Sequence, residues 1–288
     1  MKLKWGERRD GRLLRDIDSM HFVMPLMYPN RCDNEAFISE RIDLTNVMNY
    51  LEKKNADDPV YKYNFFQVMV TAVLKTIMLR PQLNRFIANG NLYERYAVTA
   101  AFTVKKIFSD EGEEALAVIH ACDTDNIDSI HDEIYRQVSY VRNEGKDKST
   151  ESMDVLQKTP LPLKKVLGAG ARFLDRRGWM PQAVIETDPF QSSVVLANLG
   201  SIKLKSGYHH LTNWGTTSLF IVIGEIKERP FTDADGNTEM RISVDIGLTV
   251  DERISDGYYC SKSVQLLKKL LEEPELLELP LEEQAENH

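Results

Sequence analysis

The stretch from Leu248 to Leu279, LTVDERISDGYYCSKSVQLLKKLLEEPELLEL, constrains the fold of this chain more than any other. It opens inside a strand, because Met240 to Val250 alternates apolar and polar residues and is rich in β-branched side chains. A polar turn follows at Ser255-Asp256-Gly257. Beyond it, Val264, Leu267, Leu270 and Leu271 share one face of a helix that Pro274 stops. Strand, polar turn and helix in succession hold side chains on rigid supports. This turn carries Asp251, Glu252, Arg253 and Asp256.

The rest of the chain reads as interleaved helices and strands. Residues Met1 to Arg31 are charged and irregular, and Ser39 to Asp43 predicts a short strand. Asp43 or Thr45 can cap a helix whose apolar face is Leu44, Val47, Met48 and Leu51. A second helix, Tyr63 to Leu79, is apolar nearly all round and is expected to be buried. Strands follow near Leu92–Arg95, Val98–Val104 and Ala115–Ala121. Ile127, Ile130, Ile134, Val138 and Val141 then recur at helical spacing. Gly145 to Ser152 reads as a mobile loop, and Leu161 to Ile185 as helical with breaks at Gly178 and Pro181. Val194–Leu199, Thr216–Ile226 and Met240–Val250 read as strands, the last two joined by a hairpin turn at residues 233–237. The residues after Pro280 are acidic and expected to fray. No linker, repeat or Gly-rich phosphate loop divides the chain, so one α/β domain is expected.

Composition excludes several functions. A net charge of −8 argues against nucleic acid as a partner. No run of eighteen apolar residues exists, so neither a span nor a membrane partner is expected. The basic start lacks the apolar segment of a secretory signal. Cys32, Cys122 and Cys260 are odd in number and without CxxC spacing, which points to a reducing compartment, the cytoplasm. His21, His120 and His131 have no neighbour at ligand spacing, so no metal site is indicated.

The turn resembles one family. In the catalytic domains of the 2-oxo acid dehydrogenase dihydrolipoyl acyltransferases, relatives of the chloramphenicol acetyltransferases, it reads Asp-His-Arg-x-x-Asp-Gly, and the closing helix runs into a Pro-x-x-Leu-Leu-like end. Here it reads Asp251-Glu252-Arg253-Ile254-Ser255-Asp256-Gly257, then Pro274-Glu275-Leu276-Leu277. Other segments are similar in the same order: Ile42-Asp43-Leu44-Thr45, Arg80 to Phe86, Ala197-Asn198-Leu199-Gly200, and Asn213-Trp214 with the strand ending Ile223-Gly224. The resemblance implies a chloramphenicol acetyltransferase-like α/β fold, a two-layer sandwich with a large mixed β-sheet. It implies a core over 42–279, preceded by an unassigned segment 1–41 and followed by an acidic tail 280–288. It also implies a homotrimer with each active site in a channel between subunits.

Family chemistry moves an acyl group between coenzyme A and a thiol or hydroxyl acceptor. It needs a base for the acceptor proton, a donor to the tetrahedral oxyanion, and a channel that aligns acyl-CoA with the acceptor. The family histidine is replaced here by Glu252, and a family serine by Ala197. Losing a general base costs on the order of 10²- to 10⁴-fold, and losing one oxyanion donor roughly 10²- to 10³-fold. Whether the chain is an enzyme is therefore open. Glu252 is the one plausible base if burial in a channel raises its pKa, and otherwise a solvated turn residue or half of an ion pair. Asp256 matches a family aspartate that ties the turn to an arginine. Asn198 stands where an oxyanion donor is wanted, and otherwise is a strand-end residue. His210, with His209, could line the channel, as could Asn213 and Trp214, against simpler roles in surface or core. The alternative function is a catalytically degenerate homologue: a trimer that binds coenzyme A or a partner protein, or is purely structural.

Overall fold

In the computed structural model, residues 6–105, 114–144, 159–233 and 235–284 are described. The stretch read as a mobile loop, Gly145 to Ser152, lies outside them.

A mixed seven-stranded sheet organises the chain. Its order is β2 (Glu35–Asp43), β10 (Thr238–Asp251), β8 (Leu219–Ile223), β7 (Val194–Asn198), β5 (Val98–Lys105) and β6 (Glu114–Ala121), and β9 (Lys227–Thr232) pairs with the early half of β10. β10 is antiparallel to β2, β8 and β9, whereas β7 runs parallel to both β5 and β8. A small sheet joins β1 (Gly11–Leu13), β4 (Asn91–Arg95) and β3 (Arg85–Ala88). This is the expected α/β arrangement around a large mixed sheet.

Helices α2 (Thr45–Lys54), α3 (Phe65–Leu79), α4 (Ile127–Glu144) and α7 (Gly257–Glu272) pack on one face of that sheet, and the main core lies between them; α5 (Leu161–Arg177) and the short α6 (Gln182–Thr187) contribute no residue to it. α3 is buried along nearly its whole length, as its all-round apolar sequence requires. Its entry is a capping box: Asn64 accepts from the backbone N–H of Phe66, and Gln67 Oε1 accepts from the Asn64 N–H at 2.7 Å. The one cation inside it, Lys75, is fully buried and donates to the carbonyls of Leu279 and Pro280 at 3.3 and 2.7 Å. Burial lowers its pKa. On the opposite face a smaller apolar cluster, including Ala101, Val195, Phe220 and Val222, lies against Leu211 of the segment 203–218. That segment presses on the sheet where only glycine fits: a Cβ on Gly247 would stand 2.0 Å from the carbonyl oxygen of Gly207.

Several expectations change. The segment before Arg31 is not irregular throughout, because Ser19–Met27 forms helix α1, capped by Asp18, whose carboxylate accepts from the N–H groups of Met20 and His21. The first large-sheet strand begins at Glu35, not Ser39. The strand expected over Thr216–Ile226 is only Leu219–Ile223, and the hairpin partner of β10 is β9. β9 contains Pro230, which lacks an N–H and so masks a strand in sequence while being tolerated at a sheet edge. Met48 is exposed and not on the buried face of α2. The tail after Pro280 does not fray at once: Leu281 is fully buried, and its N–H donates to the Asp125 carbonyl at 2.8 Å.

Candidate active site

β10 delivers the turn. Its last residue, Asp251, is fully buried, and its carboxylate accepts from Arg253 Nε at 2.8 Å and Nη2 at 2.7 Å. Arg253 Nη1 donates to the Tyr28 carbonyl at 2.9 Å, fixing the guanidinium from a third direction. Arg31 approaches the same carboxylate at 3.6 Å while donating to the carbonyls of Thr212 and Ile87. Burial lowers the pKa of Arg31, partly opposed by Asp251 and reinforced by Arg253. Two buried guanidiniums around one buried carboxylate thus pin the turn to the segment before β2.

Glu252 points the other way. It is exposed, and its N–H donates to the Asn34 carbonyl at 3.0 Å. Asp256 is also exposed and caps α7, accepting from the Tyr259 N–H at 2.7 Å. No ion pair from Asp256 to an arginine is present among the described residues. The arginine tie expected of it belongs to Asp251, because Asp251 faces inward and Asp256 stands on the solvent side of the turn.

Asn198 ends β7 at the far side of the sheet. It stands level with Ile223, and Ile223 with Ile246 of β10. At about 3.3 Å per residue, Glu252 lies roughly 20 Å further along the strands. One chain therefore does not bring Glu252 and Asn198 together. Asn198 Oδ1 accepts from the Ser201 N–H at 3.2 Å, which leaves the amide Nδ2 free to donate. The residue lies between two recesses. One, of about 910 Å³, lies between α2–α3 and the ends of β7–β8, and Lys203 lines it. The other, of about 390 Å³, is bounded by Phe66, Phe102, Leu196 and Ile202. Ala197, one residue earlier, packs against the apolar cluster of the opposite face and also borders this second recess.

The segment 203–218 places the remaining candidates near the Glu252 end. Asn213 Oδ1 accepts from the backbone N–H of Arg31 at 2.8 Å and of Cys32 at 3.4 Å, so it holds the chain entering β2. Trp214 Nε1 donates to Asp188 Oδ2 at 2.6 Å. Burial nevertheless raises the pKa of Asp188. His210 is exposed and stacks on His209, which in turn stacks on Phe220 at 4.1 Å between centroids. Asn213 and Trp214 are thus engaged by the protein itself, while His210 faces solvent. Among the described residues, no group of three or more His, Cys, Asp or Glu side chains is placed to hold a metal ion. No described helix is long and apolar enough to cross a membrane.

Residues 186–279, which contain the Asn198 element and the whole turn, match the family of 2-oxoacid dehydrogenases acyltransferase (catalytic domain). The solved structure of a probable dihydrolipoamide acetyltransferase from Listeria monocytogenes 4b F2365 superposes with a TM-score of 0.59 at 17% identity, over 91% of this chain and 95% of that one. The chain has a chloramphenicol acetyltransferase-like fold. A chloramphenicol acetyltransferase superposes with a TM-score of 0.58 at 12% identity, over 91% of this chain and 99% of its own. The cubic core of the pyruvate dehydrogenase multienzyme complex gives 0.61 at 14% identity, over 92% and 93%. No curated protein matches the sequence. The resemblance seen in the turn thus extends to the fold of nearly the whole chain.

Proposed function

We propose that this chain is a coenzyme A-dependent acyltransferase whose site is assembled from two copies, within a homotrimer. The observation that carries this reading is the turn at the end of β10. It keeps the framework of the acyltransferase family, held by the buried Asp251–Arg253 pair, inside a region that matches that family. The neighbouring fold that forms a cubic core of a multienzyme complex supports assembly. So does the distance between Glu252 and Asn198: a second chain has to bring one to the other and bury Glu252. Glu252 then accepts the proton of a thiol or hydroxyl acceptor, and the free amide of Asn198 donates to the oxyanion of the tetrahedral intermediate. Asp256 supports the turn by capping α7. His210, on the solvent side of the segment 203–218, borders the acceptor path, with Asn213 and Trp214 shaping it through the segment they anchor. Coenzyme A fits the recess beside Asn198, where Lys203 supplies a cation for its phosphates.

The second reading is a catalytically degenerate trimer that binds coenzyme A or a partner protein, or serves a structural role. Its support is Ala197, which borders the same recess as Asn198 and carries no hydrogen-bond donor in its side chain.

Acyl transfer from acetyl-coenzyme A to dihydrolipoamide, together with calorimetric binding of coenzyme A, separates the two. Turnover by the wild type that falls on the order of 10²-fold or more in Glu252→Gln is the expected result. Coenzyme A binding with no turnover assigns the chain to the second reading.

A further inference from the structure

Helix α5 (Leu161–Arg177) stands apart from every other long helix among the described residues. Asp175 is its one buried residue. That residue pins the helix at its C-terminal end: its carbonyl accepts from Arg8 Nη1 at 2.6 Å, and its carboxylate accepts from Gln191 Nε2 at 2.9 Å. A left-handed Gly178 then closes the helix, and a Cβ there would stand 2.6 Å from Arg8 Cγ. The rest of α5 presents large apolar side chains to solvent, including Leu163, Val166 and Phe173, with Trp179 exposed just beyond.

The charges on α5 are as unusual as its exposure. In a chain of net charge −8, this helix carries Lys164, Lys165, Arg172, Arg176 and Arg177 against the single buried acid. At 100° per residue, Lys165, Arg172 and Arg176 form one exposed strip, and Leu163, Val166 and Phe173 form a second strip beside it. The Arg177 guanidinium lies over the rings of both Phe173 and Trp179, at 5.1 and 6.0 Å. An apolar strip flanked by cations, with aromatic rings at one end, meets hydrocarbon and anionic headgroups together.

We propose that α5, with Trp179, seats the protein on the surface of a bilayer containing anionic lipid. The occupant is chosen by charge: the exposed charged groups of the helix are all cationic, and the remainder of the molecule is acidic. Long-range repulsion of that remainder turns α5 toward a negative surface and keeps the rest of the molecule away from it. The contact is peripheral. The helix lies in the interface and does not span it, and binding weakens as salt screens the lysines and arginines.

Flotation of the full chain with vesicles tests this. Binding is expected to vesicles of phosphatidylcholine mixed with phosphatidylglycerol, not to pure phosphatidylcholine, and is expected to fall as salt rises. The triple variant Lys165→Glu, Arg172→Glu, Arg176→Glu is expected to lower partitioning by on the order of 100-fold or more. A second variant, Val166→Ser with Phe173→Ser, keeps every charge and is expected to lose binding as well, which adhesion by charge alone would not do. All substituted side chains are exposed, and circular dichroism verifies that both variants fold. Absence of flotation with anionic vesicles overturns the proposal, as does flotation that survives both variants. Self-association abolished by the same substitutions, without flotation, also overturns it and assigns the surface to a second copy of the chain.

Discussion

Asp251 and Glu252 are adjacent carboxylates with opposite fates. Asp251 is fully buried between Arg253 and Arg31, and its partners come from both ends of the sequence. Glu252 is exposed and touches the protein through its backbone N–H. β10 ends at Asp251, and the turn that follows, closed by the Ile254 N–H donating to the Asp251 carbonyl at 3.1 Å, carries Glu252 to the outside. The turn thereby divides its work: one carboxylate holds the framework, and the other is presented to whatever approaches.

Substitutions within the turn test that division. Asp251→Asn leaves two buried guanidiniums without their counter-ion, and stability is expected to fall by about 3–5 kcal/mol, read from the urea midpoint. The framework role of Asp251 is wrong if the midpoint is unchanged. Asp256→Ala removes a helix cap and is expected to cost about 1 kcal/mol, read from the same transition. A loss as large as that of Asp251→Asn would return Asp256 to a buried, ion-paired role. Glu252→Gln is expected to shift stability by less than about 0.5 kcal/mol while still altering any turnover. A larger destabilisation would make Glu252 part of the framework and erase the contrast.

Much of this was legible in the sequence because local signals and tertiary demands agree. α3 reads as buried since its apolar residues cover every face. The turn and the closing helix follow from a short polar break between two opposite periodicities, whereas Asp256, expected to tie to an arginine, caps α7. Other features rest on distant partners. Nothing local says that Asp251 is buried, because burial depends on Arg31, more than two hundred residues earlier. β9 was hidden by Pro230 and its charged residues, and its place as a strand depends on β10. α5 has the periodicity of a core helix, and only packing reveals that its apolar strip meets no core. The separation of Glu252 from Asn198 is likewise a property of strand order, which spacing along the chain does not encode.

The pairing of β2 with β10 also sets the order in which the molecule can be completed. Asp43 lies opposite Ser243, about 200 residues later, and among the described residues β2 has no other strand beside it in the large sheet. During synthesis β2 is made early and waits for its partner, for on the order of ten to forty seconds at ordinary elongation rates. The last strand to emerge therefore joins β2, β8 and β9 at once and draws the turn at Asp251 into place in the same step. The part of the chain that carries the candidate chemistry is the part whose arrival closes the sheet.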